Sequence, residues 1–396
     1  MNVLLRAASA LAAAAAVATT AGAAEAPPAA ASAASAPPAA TRCAVPTDDR
    51  AANAACALAL GRHAEVELKA GRIDSALADF TRADQFAPDD LRYANTRAGI
   101  ALKKANQLTP AGIESAAKAA PDDIGLAMMH AELAIARKDW TAALADVDRV
   151  IARRPAAALA WEMRASIGVA KPDFEAARRD VDRALQLEPK SAASLRLRGV
   201  LRNNAGDPAG ALADYEAAHA SAPRPEDPFV IGSTQFLLHR FGDAAASLAH
   251  RAPPAPEGTY WRLWRYLALA RLTGIERASG SLGPGTPPGQ GVPWPGPVVD
   301  FLHATIDGAT LLDIARKSQA KVDLSQVCEA HFYMAEDALL RQRSDAVALF
   351  RQAVQECPQN FHEYEGATAE LRAMGQPFAA PGPTRAAAAA SAASAP

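Results

Sequence analysis

The sequence has 396 residues, 50% hydrophobic but only 6% aromatic, with 41 basic and 43 acidic side chains for a formal net charge of −2. Alanine supplies most of the apolar share. It has the highest helix propensity and lets helix axes approach closely. Long alternating β-branched runs are absent, which argues against sheets, and no basic stripe marks the chain for nucleic acid.

In chain order, residues 1–23 read as a cleavable secretory signal. Arg6 supplies the positive region, Leu11 to Ala18 a short apolar core, and Ala21-Gly22-Ala23 the cleavage pattern. An alanine-rich N-terminus without signal function is the alternative. The apolar core is too short to span a bilayer, and no later segment reads as a transmembrane helix. The first cysteine is Cys43, so no lipid-anchoring cysteine follows the signal, and a periplasmic location is expected. Residues 24–52 form an Ala/Pro-rich linker that cannot build a core.

The main signal is an internal repeat. Prolines fall at Pro88, Pro121, Pro155, Pro189 and Pro223, at spacings of 33, 34, 34 and 34. Gly71 precedes Ala76, Phe80 and Ala83 in the first unit; Ala143, Val147 and Val150 recur in the third; Trp161, Ala177, Val181 and Ala184 in the fourth. The fifth is the clearest, with Gly199, Gly206, Ala211, Tyr215, Ala218 and Pro223. The second unit, and a sixth from about Asp227 to Arg251 with Gly242 at its turn, are degenerate. This pattern resembles the tetratricopeptide repeat (TPR), a pair of antiparallel helices with small residues at their crossing. The predicted fold class is all-α, an α-α superhelix or TPR solenoid, with an array of about six units over residues 53–252. One unit cannot bury its apolar face, so stacking is obligatory.

A helix is predicted from Thr259 to Gly274, followed by a Gly/Pro-rich connection to residue 297. The C-terminal helices occupy residues 298–376. They include one more repeat from about Val327, with Ala346, Phe350, Ala353 and Pro358, and a closing helix from Phe361 to Met374. Residues 377–396 read as a disordered tail.

Four cysteines remain, Cys43, Cys56, Cys328 and Cys357. An even count in an exported chain suggests disulfides. Cys328 opens the first helix of the last repeat and Cys357 ends the second, which makes them neighbours in an antiparallel hairpin. Cys43 and Cys56 then tie the N-terminal strap to the first helix. Four free thiols or a metal site is the alternative; without a C-x2-C pair, zinc is disfavoured.

No phosphate-binding loop, nucleophile elbow or metalloprotease motif is present, so neither an enzyme nor a cofactor or metal is expected. His63 and His130 hold equivalent places in their units and read as repeat packing. Glu329, His331 and Glu336 lie near one another on one helix but lack the ligand spacing of a metal site. Trp261, Trp264 and Trp294 read as core, with a hydrophobic binding lip as the alternative. A TPR groove is lined by first helices, which gives Met128, Glu132, Glu162, Ser166, Arg196 and Asn203 as candidate contacts, each with a solvated surface role as the alternative. Asn95 alone does not make a carboxylate clamp.

The last third carries a second resemblance. Trp264-Arg265-Tyr266-Leu267-Ala268, Phe332-Tyr333-Met334, Ala346-Val347-Ala348-Leu349-Phe350, Asn360-Phe361-His362-Glu363-Tyr364 and Ala369-Glu370-Leu371 resemble the NlpI-like periplasmic TPR proteins. That resemblance implies a dimerising cell-envelope adaptor that docks a periplasmic protease and peptidoglycan hydrolases. The family's lipoprotein cysteine is missing here, and the extra repeats and cysteine pairs are additions. The leading expectation is therefore a scaffold that binds protein partners in the envelope, and the second an assembly factor of an outer-membrane, pilus or polysaccharide-export complex.

Overall fold

The computed structural model describes residues 43–250, 253–254, 256–285, 293–317 and 325–378. The expected signal, most of the 24–52 linker, the middle of the Gly/Pro-rich connection and nearly all of the tail lie outside these residues. Among the described residues every regular element is a helix. They divide into two compact units, 43–197 and 198–378.

The first unit contains α1 (Arg50–Lys69), α2 (Ile73–Phe86), α3 (Leu91–Lys104), α4 (Pro110–Ala119), α5 (Ile124–Ala136), α6 (Trp140–Arg153), α7 (Ala158–Ala170), α8 (Phe174–Leu187) and the start of α9 (Ala192–Asn204). Each proline of the repeat falls two residues after a second helix ends, where it cannot continue the helical hydrogen bonding. Asp90, Asp123, Asp139 and Asp173 cap the next helix start by accepting from its free backbone N–H groups. α1 begins at Arg50, inside the stretch expected to be linker, because Asp49 accepts from the N–H groups of Ala51 and Ala52.

The first helices end in a left-handed residue, which turns the chain back and ties off the last carbonyls. Gly71 is at φ 74, and its neighbour Arg72 donates to the Glu67 carbonyl. Asn106 and Lys138 hold the same place at φ 56 and 61. The helix pairs then close over small side chains. Ala64, Ala76, Ala131, Ala143 and Ala177 have no exposed surface. α5 approaches α3 so closely that a Cβ on Gly125 would lie 2.1 Å from the Ala94 carbonyl oxygen.

The second unit contains the end of α9, α10 (Pro208–Ser221), α11 (Asp227–Leu237), α12 (Phe241–Ser247), α13 (Glu257–Thr273), α14 (Ile275–Ala278) and a 3-10 turn (Ser279–Leu282). α15 (Gly296–Leu302), α16 (Gly308–Lys317), α17 (Ser325–Leu340), α18 (Ala346–Glu356) and α19 (His362–Ala373) complete it. The turn between α11 and α12 is made by His239 at φ 55, while Gly242 lies inside α12. The expectation that Gly242 makes that turn is thereby corrected.

Large aromatics fill this unit's core. Trp264 and Phe332 stack with centroids 5.5 Å apart, and Phe236 meets Trp264 edge-on at 5.3 Å. Trp261 and Trp264 are buried, as the core reading expects. Disulfides join Cys43 to Cys56 and Cys328 to Cys357, within the first and second units respectively.

Gly125→Ala should destabilise the first unit by about 1–3 kcal/mol, because backbone rather than a flexible side chain must move. Urea unfolding checks this, and an unchanged midpoint would contradict the packing described. The bridge between Cys328 and Cys357 spans 29 residues. Replacing both by serine should cost about 3–4 kcal/mol by the chain-entropy account and lower Tm. A double variant that melts with the wild type would remove this stabilising role.

Candidate functional site

Four hairpins share one internal device. His63 Nδ1 faces Asp79 Oδ2 at 2.6 Å, and His130 faces Asp146 in the same way. Arg164 donates to both Asp180 oxygens at 2.9 and 2.7 Å, and Arg198 to both Asp214 oxygens at 2.9 and 2.6 Å. In each case a histidine or arginine of the first helix meets a buried aspartate of the second, sixteen residues on. The packing role expected for His63 and His130 thus has a definite form. Arg164 and Arg198 belong to the same series and were not singled out from sequence, although the 34-residue offset contains them.

In the second repeat the aspartate's place is taken by Ile113, which is buried. Arg97 turns instead to Asp123 at 2.7 Å, at the start of the following helix. Arg154 reaches back to Asp84, with oxygens at 2.7 and 2.9 Å, and donates to the Pro88 carbonyl. These bonds tie the turns of the first and third repeats together.

The candidate contact residues do not behave alike. Met128 is wholly buried, and Asn203 is buried with its amide donating to Thr234 Oγ1 at 3.0 Å. Both are buried, which corrects the surface position expected of them. Ser166 is half-buried and donates to the Met163 carbonyl. Glu162 Oε2 accepts from Ser191 at 2.9 Å and from Ser194 at 2.6 Å. Glu132 is half-buried, and burial pushes its carboxyl up to about 7 while the Asn95 side chain pulls it down. Arg196 is half-buried on α9 and holds an interaction of its own.

Elsewhere in the first unit, an open cleft of about 610 Å³ lies where helix turns converge, with Leu58, Phe86, Tyr93 and Leu187 on its walls and Asp48, Asp89 and Glu188 among its polar groups.

The second unit buries a set of carboxyl groups on α17 and α19. Glu329 Oε2 accepts from Tyr260 at 2.7 Å and from Trp294 Nε1 at 2.6 Å, so Trp294 acts as a hydrogen-bonding wedge. Tyr333 donates to Glu363 at 3.1 Å. Burial first, and then the charge of Glu363, pushes the Glu329 carboxyl upward. Arg271 lies 2.9 Å from Glu336 and from Glu370. Burial pushes both of those carboxyls up, against the opposing pull of Arg271. His331 faces Glu356 at 2.6 Å. Glu329, His331 and Glu336 therefore turn to three different neighbours. Among the described residues no group of three His, Cys, Asp or Glu side chains is placed to hold a metal, and no helix is long and apolar enough to cross a membrane.

Residues 166–234 match the family model described as the tetratricopeptide repeat. The chain carries tetratricopeptide repeats. Its all-α helix pairs are those of a TPR superhelix, and such repeats are protein–protein interaction scaffolds. No curated protein matches the chain. Among solved structures it is similar to a tetratricopeptide repeat protein from Parabacteroides merdae, 16% identical, covering 57% of this chain and 90% of that one at a TM-score of 0.37. It is also similar to a thermophilic TPR protein of Thermus thermophilus, 20% identical, covering 54% of this chain and 98% of that one at a TM-score of 0.33.

The buried acids generate a pH dependence with a definite sign. A carboxyl raised in the folded state binds its proton there more tightly than in the unfolded chain. Its stabilising effect is complete below the ordinary carboxylate range and is lost as pH rises through the folded value. Glu329→Gln keeps the shape and removes the buried charge. The variant should gain Tm relative to wild type at pH 8 and show little difference at pH 4.5. Thermal scans across that range test it; a difference between the two proteins that does not change with pH would contradict the assignment.

Proposed function

We propose that the protein is an exported scaffold that binds other proteins in the cell envelope through the first helices of its TPR array. The observation that supports binding is the repeat itself, matched over residues 166–234 and extended in the helix pairs α1 to α8. The carboxyl groups of the second unit are engaged with tyrosine, tryptophan and arginine rather than facing open space.

Export is supported by two features. The first 23 residues have a signal-like pattern, and the two disulfides suit an oxidising compartment. The resemblance of the last third to NlpI-like proteins supports the finer reading, an adaptor that recruits a periplasmic protease or peptidoglycan hydrolases and forms a homodimer.

A photo-crosslinking residue placed at Ser166 in living cells tests the reading. The expected result is a discrete crosslinked envelope protein, absent when the same group is placed on the outer surface of α8 at Arg179. Equal labelling from both positions, or none from Ser166, would overturn the first-helix face as the binding surface.

A further inference from the structure

α19 is the last helix among the described residues, and it does more than cover the end of α18. It meets four earlier helices of the second unit. From α9, Asn204 Nδ2 donates to the Gln359 carbonyl at 2.8 Å, just before α19 begins. From α11, Phe229 meets the His362 ring edge-on at 5.2 Å. From α13, Trp264 meets His362 at 6.3 Å, and Arg271 lies 2.9 Å from Glu370. From α17, Tyr333 donates to Glu363 at 3.1 Å. At the centre, a Cβ on Gly366 would lie 2.6 Å from the Phe332 ring and 3.2 Å from Trp264. A helix laid across the faces of several others is how a groove of helices takes a helical ligand.

The side chains that α19 buries set it apart from its neighbour. α18 buries Ala346, Leu349, Phe350, Ala353 and Val354, all apolar. α19 buries Glu363, Glu365, Thr368 and Glu370 beside Tyr364, Ala367 and Leu371. Apolar burial drives a helix onto a core, whereas a buried carboxylate loses hydration that its partner only offsets. Release of α19 returns its acids to water, which marks it as a segment that opens before the rest. The Cys328–Cys357 bond closes α17 and α18 into one hairpin immediately before residues 358–361 lead into α19. α19 can therefore leave without opening that hairpin.

We propose that the face built by α9, α11, α13 and α17 is a helix-binding groove, occupied here by α19 as an internal ligand, and that a partner helix of the same chemistry enters by displacing it. The inference rests on the reading that first helices bind protein, and it gives the second unit a partner class. That class is written in α19: two acids seven residues apart, Glu363 and Glu370, with Gly366 and Ala367 between them. Seven residues are about two helical turns, so both acids fall on one face. Tyr333 receives the first acid. Arg271, with His239 at 3.5 Å, receives the second. The Phe332 and Trp264 rings admit only a small residue between them. So short a tether gives α19 an effective concentration on the order of millimolar, which a free helix must overcome.

The test uses the full chain and a fluorescein-labelled peptide with the sequence of residues 358–376. Gly366→Leu in the full chain keeps helix propensity but sets a side chain against the two rings, which should lift α19 from the groove. Fluorescence anisotropy should show this variant binding the peptide about a hundredfold more tightly than wild type. A peptide that itself carries Gly366→Leu should bind neither protein. Circular dichroism and an intact Cys328–Cys357 bond confirm that the variant is folded. A folded variant that fails to bind the peptide overturns the groove. Equal binding by wild type and variant, or binding of the Gly366→Leu peptide, overturns it as well, since the peptide would then be held elsewhere. Should the variant not fold, hydrogen exchange of the wild-type chain decides. The α19 amides should exchange about tenfold faster than those of α17 and α18; one common rate would make α19 an inseparable part of the core and sink the proposal. The crosslink from Ser166 lies in the first unit and tests the parent reading separately.

Discussion

The repeat depends on a contact that spans sixteen residues, between a histidine or arginine on the first helix and a buried aspartate on the second. Arg164 with Asp180 and Arg198 with Asp214 are two-pronged, with every bond between 2.6 and 2.9 Å. Burying such a pair costs desolvation that offsets much of its attraction, so its net contribution to stability is small even though removing one partner is destabilising. Its leverage is geometric. A planar guanidinium meets both oxygens of a carboxylate in few orientations, and that fixes how far one helix slides along the other. The alanines at the crossing, which have no exposed surface, permit a range of sliding positions; the ion pair selects one. In the second repeat, Ile113 takes the aspartate's place and Arg97 turns to Asp123. The constraint is then passed to the joint with the next repeat, and the third repeat's Arg154 is tied to Asp84 of the first.

The two units solve the same packing problem with different materials. In 43–197 the helices close over alanine and glycine, and their spacing is short enough for a bare Gly125 to touch a neighbouring carbonyl. In 198–378 the closure is aromatic, with Trp264, Tyr266, Phe332, Tyr333 and Phe350 fully buried. Wide side chains leave room between helix axes. Polar groups occupy that room here: the Glu329, Tyr260 and Trp294 set, the Glu363 and Tyr333 pair, and Arg271 between two glutamates. Each is held by specific donors, which gives a spacious core a single arrangement where apolar contacts alone would allow several.

Much of the fold was legible in the sequence because its strongest signals are local. Prolines at near-constant spacing and alanines at helical intervals reveal helix pairs without any tertiary knowledge. The turns were only partly legible. Gly71 and Gly206 announce a left-handed residue, and Asn106 and His239 are of types that tolerate one, but Lys138 and Gln342 adopt the same conformation where the sequence gives no sign of it. There the stacked helices, and not residue preference, impose the backbone. The candidate site was less legible still. Counting along a first helix identifies residues that face forward, but not how deep they sit. Met128 and Asn203 lie at such places and are buried, because the neighbouring repeat covers one and Thr234 engages the other. The sixteen-residue ion pairs fall outside both the helical and the strand period, so no local pattern displays them.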